Sequence, residues 1–520
     1  MVSQMARSAA AALLTLFVCV SSLTDAAHLS VRGEVSGEVL SARAAGFNGC
    51  EALIKAGLKD ILYFAGDGEY DGTLLTYYAK DVQDVKPTCI LKPKTSKDVA
   101  KAIKELNTRR GRGFPVAVRS GGHAPYASNN VQDGVTIDLG RMNSVKYKGC
   151  KSGAGTAFIG AGARWGEVYA ELEPKGIMVG GGREGHVGVG GFLLGGGFSW
   201  YSGKRGMCAD DVLGYEVVLA DGKIVMATAT RNKDLFKALK GGLNNLGIVT
   251  RFDIRTFSSH DIYGGVMAFP WTQKEAVVAK FINMVDGTSK NRADTGFVSL
   301  SWSPGLPSPN LAFITANVDG VDNSTTFAGL KNLSPLVDYR MKMPLTGLTT
   351  QLASTLGLYQ VWYTLTVHNT PDMGRKIIQV FDELVAELQG QIEESIQLIF
   401  VLTPLPKTYG DKGSRNILGL DKLKANSIVL QPEVILPSQT HQAMLQRKLR
   451  KATAEIEAYA RRTRQFTDWL YINYANLEQN PLSKYGAANG NFLYKTAKKY
   501  DPSGYFQTSV AGEFKLSDLK

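Results

Sequence analysis

Val116-Ala117-Val118-Arg119-Ser120-Gly121-Gly122-His123 and Gly188-Val189-Gly190-Gly191-Phe192-Leu193-Leu194-Gly195-Gly196-Gly197-Phe198 are the two stretches whose reading decides the fold. The first is a β-branched run that ends in small residues and a histidine. The second places six glycines in eleven residues. Backbone that must approach a large anionic ligand needs glycine, because a side chain would stand in the way. Bare N–H groups in such loops form a concave nest suited to a pyrophosphate. A histidine beside that nest reaches the ligand itself. Together they predict a tightly held dinucleotide. No Gly-x-Gly-x-x-Gly follows an early strand with an acidic partner downstream, which disfavours a nicotinamide cofactor.

The chain has 520 residues, 44% hydrophobic and 20% charged, enough for two or three domains with real cores. Its net charge of +12 is spread out rather than gathered in a block of Lys or Arg. That disfavours a nucleic-acid partner and leaves a generally basic surface that suits anionic substrates. Arg7 precedes an apolar run from Ala9 to Val20, with small residues at Ala26 and Ala27. This run is too short to span a bilayer and reads as a secretory signal over residues 1–27. No later stretch offers about 18 consecutive apolar residues, so no membrane partner is expected. Cys19 leaves with the signal; Cys50, Cys89, Cys150 and Cys208 stay. None stand in Cys-x-x-Cys spacing, so no structural zinc site is expected. Cys50 and Cys89, both early, are the favoured disulfide, which an oxidising compartment permits. Asn323-Ser324-Thr325 is a glycosylation sequon, and Asn332-Leu333-Ser334 is a poorer one because Pro335 follows. A secreted glycoprotein is the resulting expectation. Oligomeric state has no signature in the sequence.

A polar, small-residue stretch over 28–46 is expected to be flexible. A helix follows near Cys50–Ala56. Thr95 and Asp98 have capping-box spacing, and Val99, Ile103 and Leu106 recur at helical intervals behind them. Val135, Ile137 and Leu139 alternate as in a half-buried strand. Ile159–Gly162 reads as strand and Trp165–Leu172 as helix. Tyr215–Val225 reads as a hairpin around Asp221-Gly222. Asp234–Leu239 looks helical, and Asn244–Val249 returns to strand. After Phe257 the composition shifts to longer amphipathic stretches, Lys274–Val285 and Arg375–Leu388, separated by apolar strands such as Ile396–Leu402. This predicts a separate α+β unit over 258–465. Short motif-like text resumes from Phe466.

These pieces, taken in order, resemble the vanillyl-alcohol-oxidase-type flavoproteins, in particular the fungal secondary-metabolite members of the berberine-bridge-enzyme-like group. The residues that carry the resemblance are Arg119–His123, Gly188–Gly197, Ala220-Asp221-Gly222, Gly247-Ile248-Val249-Thr250, Tyr471-Ile472-Asn473-Tyr474 and Tyr500-Asp501-Pro502. The resemblance implies an α+β fold in which both ends of the chain form a PCMH-type FAD-binding domain. Those ends are 47–257, with a core of about 83–256, and 466–520. The inserted substrate domain is an antiparallel sheet covered by helices. It further implies that Arg119, Ser120, Gly121, Gly122, Gly188, Val189, Gly190, Gly191, Gly195, Gly247, Ile248, Val249 and Asn473 hold FAD. His123 looks like the histidine bonded to the flavin 8α-methyl, and a neutral imidazole is a competent nucleophile.

Two residues depart from the pattern. Many relatives carry a second flavin link through a cysteine four residues before the first glycine of Gly-Val-Gly-Gly; here that position is Glu184. A carboxylate cannot form that bond, which predicts a single link and weakens an oligosaccharide substrate. Plant members place a histidine just after the same run, where this chain has Phe192.

The implied chemistry is hydride transfer from a small metabolite to flavin N5, a base taking the proton, and reoxidation by O2 to give H2O2. Tyr474 is the first candidate base and Tyr471 the second, since a nearby positive charge lowers a phenol's pKa. Glu184 and His186 are expected near the flavin edge, as a base or as a contact for a substrate amine or hydroxyl; alternatively Glu184 pairs with Arg183 or another cation. Gln397, Ile399, Val401 and Thr403 share one strand face, with core packing the favoured account. Trp302, Trp362 and His368 are possible pocket liners, with a structural role the favoured account of each. Carbohydrate oxidation and a non-redox cyclisation on a flavoprotein scaffold are the competing readings.

Overall fold

The computed structural model describes residues 48–107, 114–150, 153–411 and 415–519; the expected signal and the polar stretch over 28–46 lie outside the described residues. Among the described residues the chain is α+β, with three sheets. The first has the order Leu62–Tyr63, Cys89–Leu91, Val135–Asp138, Val116–Arg119, and its last three strands are parallel. Parallel strands are covered on both faces and so read as nearly continuous apolar runs. Ile90, Leu91, Val116, Ala117, Val135 and Ile137 are all fully buried. The crossover helix Ser96–Leu106 starts where predicted: Thr95 Oγ1 accepts from Asp98 N at 3.2 Å, and the Asp98 carboxylate accepts from Thr95 N at 2.9 Å. A disulfide ties the helix at 48–55 to this sheet through Cys50 and Cys89.

The second sheet is antiparallel, ordered Val145–Gly149, Gly155–Gly160, Ile248–Ser258, Val212–Val218, Ile224–Thr228, with Ile177–Met178 also on Ile248–Ser258. The Asp221-Gly222 hairpin is present, with Gly222 at φ 79°. Two expected boundaries differ. The strand read as Ile159–Gly162 runs over Gly155–Gly160. The strand read from Asn244 begins at Ile248, and Leu243–Asn245 is a 3₁₀ turn instead. The Asn245 side chain donates to the carbonyls of Gly242 and Phe514, both at 3.0 Å. Asparagine thus satisfies the turn's backbone at the expense of the ladder.

The tail returns to these two sheets. Val116 N donates to Ser509 O at 2.9 Å and Ala511 N to Val116 O at 2.7 Å, so the tail pairs along the outer strand of the first sheet. The helix Ala487–Tyr500 packs on Lys233–Ala238, tied by Lys499 to Asp234 at 2.6 Å. Both chain ends therefore share one hydrophobic core.

The third sheet has nine strands, antiparallel in every pairing. Its two faces differ because side chains alternate along each strand. Leu398, Phe400 and Leu402 are fully buried on one face, together with Val298, Leu300, Ile428, Leu430 and Val434. The helices Lys274–Gly287, Pro371–Leu388 and Gln442–Arg462 cover that face. Met373, Ile377, Phe381, Leu384 and Leu388 form the apolar stripe of the middle helix. Its start is set by Thr370, whose hydroxyl accepts from Met373 N at 3.2 Å, and by Pro371 in the first turn. Trp302 belongs to this helix-side core and does not line the cavity described below. The opposite face of the sheet is left to look toward the glycine loops.

Candidate functional site

A cavity of about 1080 Å³ lies between the glycine loops and the free face of the nine-stranded sheet. This exceeds the ~300–1,000 Å³ of ordinary ligand pockets. The two stretches that opened the sequence reading form its floor. They cross in direct backbone contact: a Cβ on Gly121 would lie 2.5 Å from Gly188 Cα, and one on Gly188 would lie 2.2 Å from Gly121 N. Ser120 pins the crossing, donating to Ala161 O at 2.6 Å and accepting from Gly190 N at 3.0 Å. Gly122 has φ 73°, a conformation that favours glycine. Arg119 lies beneath, buried, donating to Asp138 Oδ1 at 2.9 Å and Thr76 Oγ1 at 2.7 Å while its guanidinium covers Tyr77 at 4.6 Å.

Of the residues singled out in the sequence, Ser120, Gly121, Gly122, His123, Glu184, Gly188, Gly190, Gly191, Gly247, Ile248, Val249, Tyr471, Asn473 and Tyr474 line the cavity. Arg119, Val189, Gly195 and His186 do not. Arg119 and Val189 are packed under the floor. Gly195 makes room for Asn473, whose Oδ1 would be 1.8 Å from a Cβ there. His186 stands outside, its side chain 42% exposed, with Nδ1 3.0 Å from Glu184 Oε1.

His123 lies flat against Tyr78, the ring centroids 4.1 Å apart and the planes 10° from parallel. Its Nε2 is 3.4 Å from Glu184 Oε2. Glu184 does not pair with Arg183. Its Oε2 accepts from His186 N at 2.9 Å and Val187 N at 3.0 Å, and its Oε1 from Ser354 N at 3.4 Å. Burial opposes the charged form, but the two histidines and the His186 backbone N–H outweigh it and hold the carboxyl well below the usual carboxylate range. Glu184, approaching His186 Nδ1 to 3.0 Å, in turn raises the pKa of His186 against partial burial.

Arg183 instead turns to the other side. It donates to Tyr474 Oη at 2.7 Å and to Thr403 Oγ1 at 3.5 Å, and stacks on Phe297 at 4.6 Å. The two motif tyrosines meet edge to face at 4.7 Å but differ in surroundings. Tyr471 is 1% exposed, and its oxygen accepts from Phe198 N at 3.2 Å and Asn473 Nδ2 at 3.0 Å. Burial pushes its pKa well above the ordinary phenol value.

The roof of the cavity corrects the core-packing account of the Gln397–Thr403 face. Gln397, Ile399 and Val401 line the cavity, alternating with the helix-facing residues; Thr403 sits under Arg183. Trp362 also lines it, edge-on to Tyr474 at 6.2 Å, whereas His368 does not. Sequence reasoning missed Gln431 and Glu433 on the neighbouring strand Ser427–Leu436. Gln431 Nε2 donates to Glu433 Oε2 at 3.0 Å. Burial lifts the Glu433 carboxyl to about 7 despite a hydrogen bond with Trp362. Two polar residues at i and i+2 in an otherwise apolar strand were the available signal.

The match to known proteins agrees with this geometry. Residues 87–228 match the FAD binding domain family. The chain is 32% identical over 480 residues to the FAD-dependent monooxygenase drtC of Aspergillus calidoustus, with 90% of each chain covered. It is 29% identical over 488 residues to the FAD-dependent monooxygenase sdcF of Emericella nidulans, covering 90% of this chain and 98% of that one. Among solved structures, a berberine bridge enzyme variant in complex with (S)-reticuline has a TM-score of 0.71 at 16% identity, covering 90% of this chain and 99% of that chain. Glucooligosaccharide oxidase from Acremonium strictum has a TM-score of 0.70 at 19% identity, with 90% and 99% covered. At these identities the solved structures show a shared fold.

Proposed function

Because this chain belongs to the berberine-bridge-enzyme-like FAD-linked oxidoreductases, we propose that it is a secreted oxidase of a small secondary metabolite, with FAD on the glycine floor and substrate under the sheet. The observation that carries this reading is the Gly121–Gly188 crossing beside His123 on the cavity floor, where neither glycine leaves room for a Cβ. Residues 47–257 and 466–520 act as the FAD-binding unit and 258–465 as the substrate unit. Ser120, Gly121, Gly122, Gly188, Gly190, Gly191, Gly247, Ile248, Val249 and Asn473 contact the cofactor, while Arg119, Val189 and Gly195 shape the loops that do so. His123 would carry the 8α attachment. Acremonium strictum glucooligosaccharide oxidase carries a 6-S-cysteinyl, 8α-N1-histidyl FAD; Glu184 in place of the cysteine supports a single link here. Asn323 is exposed, as a glycosylated asparagine must be.

Bound FAD would accept a hydride at N5 and pass the electrons to O2, releasing H2O2. The chain's own task is to place the substrate and move its proton. Tyr474 faces the cavity, and the Arg183 guanidinium on its oxygen is placed to stabilise negative charge there. Tyr471 is unsuited to this, since its oxygen is walled in and occupied; it fixes the motif. Glu433 is a further acid–base group of the cavity, and Glu513, also in its wall, is likewise lifted to about 7 by burial. The aliphatic and aromatic residues that line the cavity (Val266, Ile314, Trp362, Ile399, Ile435) favour a largely apolar metabolite over an oligosaccharide. The purified protein, offered a metabolite panel and a set of oligosaccharides, should release H2O2 with the former. Product formed without oxygen uptake would instead establish the cyclisation reading.

A further inference from the structure

His123, Glu184 and His186 form one connected group that reaches from the cavity wall to the surface. Glu184 is the hinge of it. Its carboxylate is fixed by two backbone N–H groups at 2.9 and 3.0 Å, and so cannot swing away. One oxygen lies 3.4 Å from His123 Nε2 and the other 3.0 Å from His186 Nδ1; these are ion-pair approaches, neither nitrogen having an aligned hydrogen-bond partner, so Glu184 acts on His123 through its charge. The stacking of His123 on Tyr78 leaves the imidazole little freedom to rotate. His123 and Glu184 are largely enclosed, at 16% and 15% side-chain exposure, whereas His186 is 42% exposed.

We propose that Glu184 is the positioning residue for covalent attachment of the flavin: it holds the proton of His123 on Nε2 and so presents the Nδ1 lone pair to the cofactor. This rests on the reading of the cavity as an FAD site with His123 as its attachment point. A carboxylate beside one imidazole nitrogen favours the tautomer with its proton there, and the other nitrogen becomes the nucleophile. The bond formed is Nδ1–C8α. One C8α–H bond breaks, and the Nε2 proton is released through Glu184. The isoalloxazine ring takes up the two electrons and two protons, and O2 reoxidises it with formation of H2O2. As Nδ1 bonds, positive charge develops on the imidazole, and the ionised Glu184 is the counter-charge at its far side. His186 holds the second Glu184 oxygen and links the group to solvent.

The position that is cysteine in doubly linked relatives thus keeps an interest in the cofactor, by serving the one bond that remains. Glu184→Gln keeps the shape and can still accept from the two backbone N–H groups, but removes the charge. The full chain would be produced as wild type, Glu184→Gln, Glu184→Asp and His123→Ala. Total flavin is read from absorbance, and attached flavin from the colour that stays with acid-precipitated protein. Wild type should attach nearly all its flavin and His123→Ala none. Glu184→Gln should bind flavin within twofold of wild type yet attach it at least tenfold more slowly, and Glu184→Asp should recover a large part of the rate. Attachment by Glu184→Gln at the wild-type rate overturns the proposal and leaves the FAD reading intact. Wild type with no attached flavin overturns both. Should Glu184→Gln not fold, His186→Leu decides: attachment slowed severalfold supports the proposal, and attachment at the wild-type rate overturns it.

Discussion

The floor of the cavity is built from backbone and its roof from side chains. On the floor, Gly121 and Gly188 leave no room for even one carbon, and Ser120 locks the crossing from below. On the roof, Gln397, Ile399, Val401, Gln431 and Glu433 project from strands whose other face is held by the helix-side core. Neither Gly121 nor Gly188 can gain a side chain without moving the backbone. A roof residue can change, because Leu398, Phe400 and Leu402 anchor the same strand independently. On the proposed function, the first half is committed to the cofactor and the second is free to suit the substrate.

Breaking the floor should have the largest effect. Gly188→Val forces a Cβ into the backbone of Gly121, and the purified variant should carry less than a tenth of the wild-type flavin by absorbance. Full yellow colour in that variant would show that the crossing is not the cradle. Removing the group that bridges floor and roof comes next. Tyr474→Phe should lower kcat/KM by about 10²–10⁴, the range of a lost acid–base group, with flavin content unchanged. An equal loss of flavin would assign Tyr474 to the cofactor half instead.

A sharper contrast lies in two carboxylates that are shifted in opposite directions. Glu184, beside the floor, is held ionised by its histidines; Glu433, on the roof, is lifted to about 7 by burial. Glu433 is therefore protonated below that value and ionised above it. If it accepts a proton, kcat/KM should rise about tenfold between pH 6 and 8, as expected for one group of that pKa, and Glu433→Gln should flatten the rise. The stability signs also oppose. Glu184 stabilises the fold at neutral pH, and this is lost as pH falls below the usual carboxylate range. Glu433 binds its proton more tightly when folded, so its contribution is lost as pH climbs from that range towards 7. The smallest effect belongs to the roof's apolar lining. Ile399→Val should change KM for a given metabolite by less than about fivefold, since the single methylene it removes is worth roughly 0.8 kcal/mol. Thermal unfolding should move by only a few degrees.

The floor was legible because its signals are local. Six glycines in a short run and a histidine after Ser-Gly-Gly carry their meaning without any partner. The capping box at Thr95 and the Asp221-Gly222 hairpin were legible for the same reason. The roof was not, because which face of a strand meets the cavity depends on pairings such as Val298 with Leu402 and Trp362 with Glu433. Those registers join residues far apart in the chain. Trp362 and Ile399 illustrate the cost: both were favoured as structural residues, and both line the cavity, whereas Trp302 packs under a helix as favoured. Glu184 falls between the two cases. Its departure from the cysteine pattern was visible, but its partners were His123 and His186 rather than Arg183, which only the close approach of the two loops reveals.

The most direct test of the account is to digest the acid-precipitated protein and locate the peptide that carries flavin. A single flavinylated peptide containing His123, with none from the Gly180–Gly197 region, is the predicted result. Flavin released wholly into the acid supernatant, or attached at another residue, would contradict it.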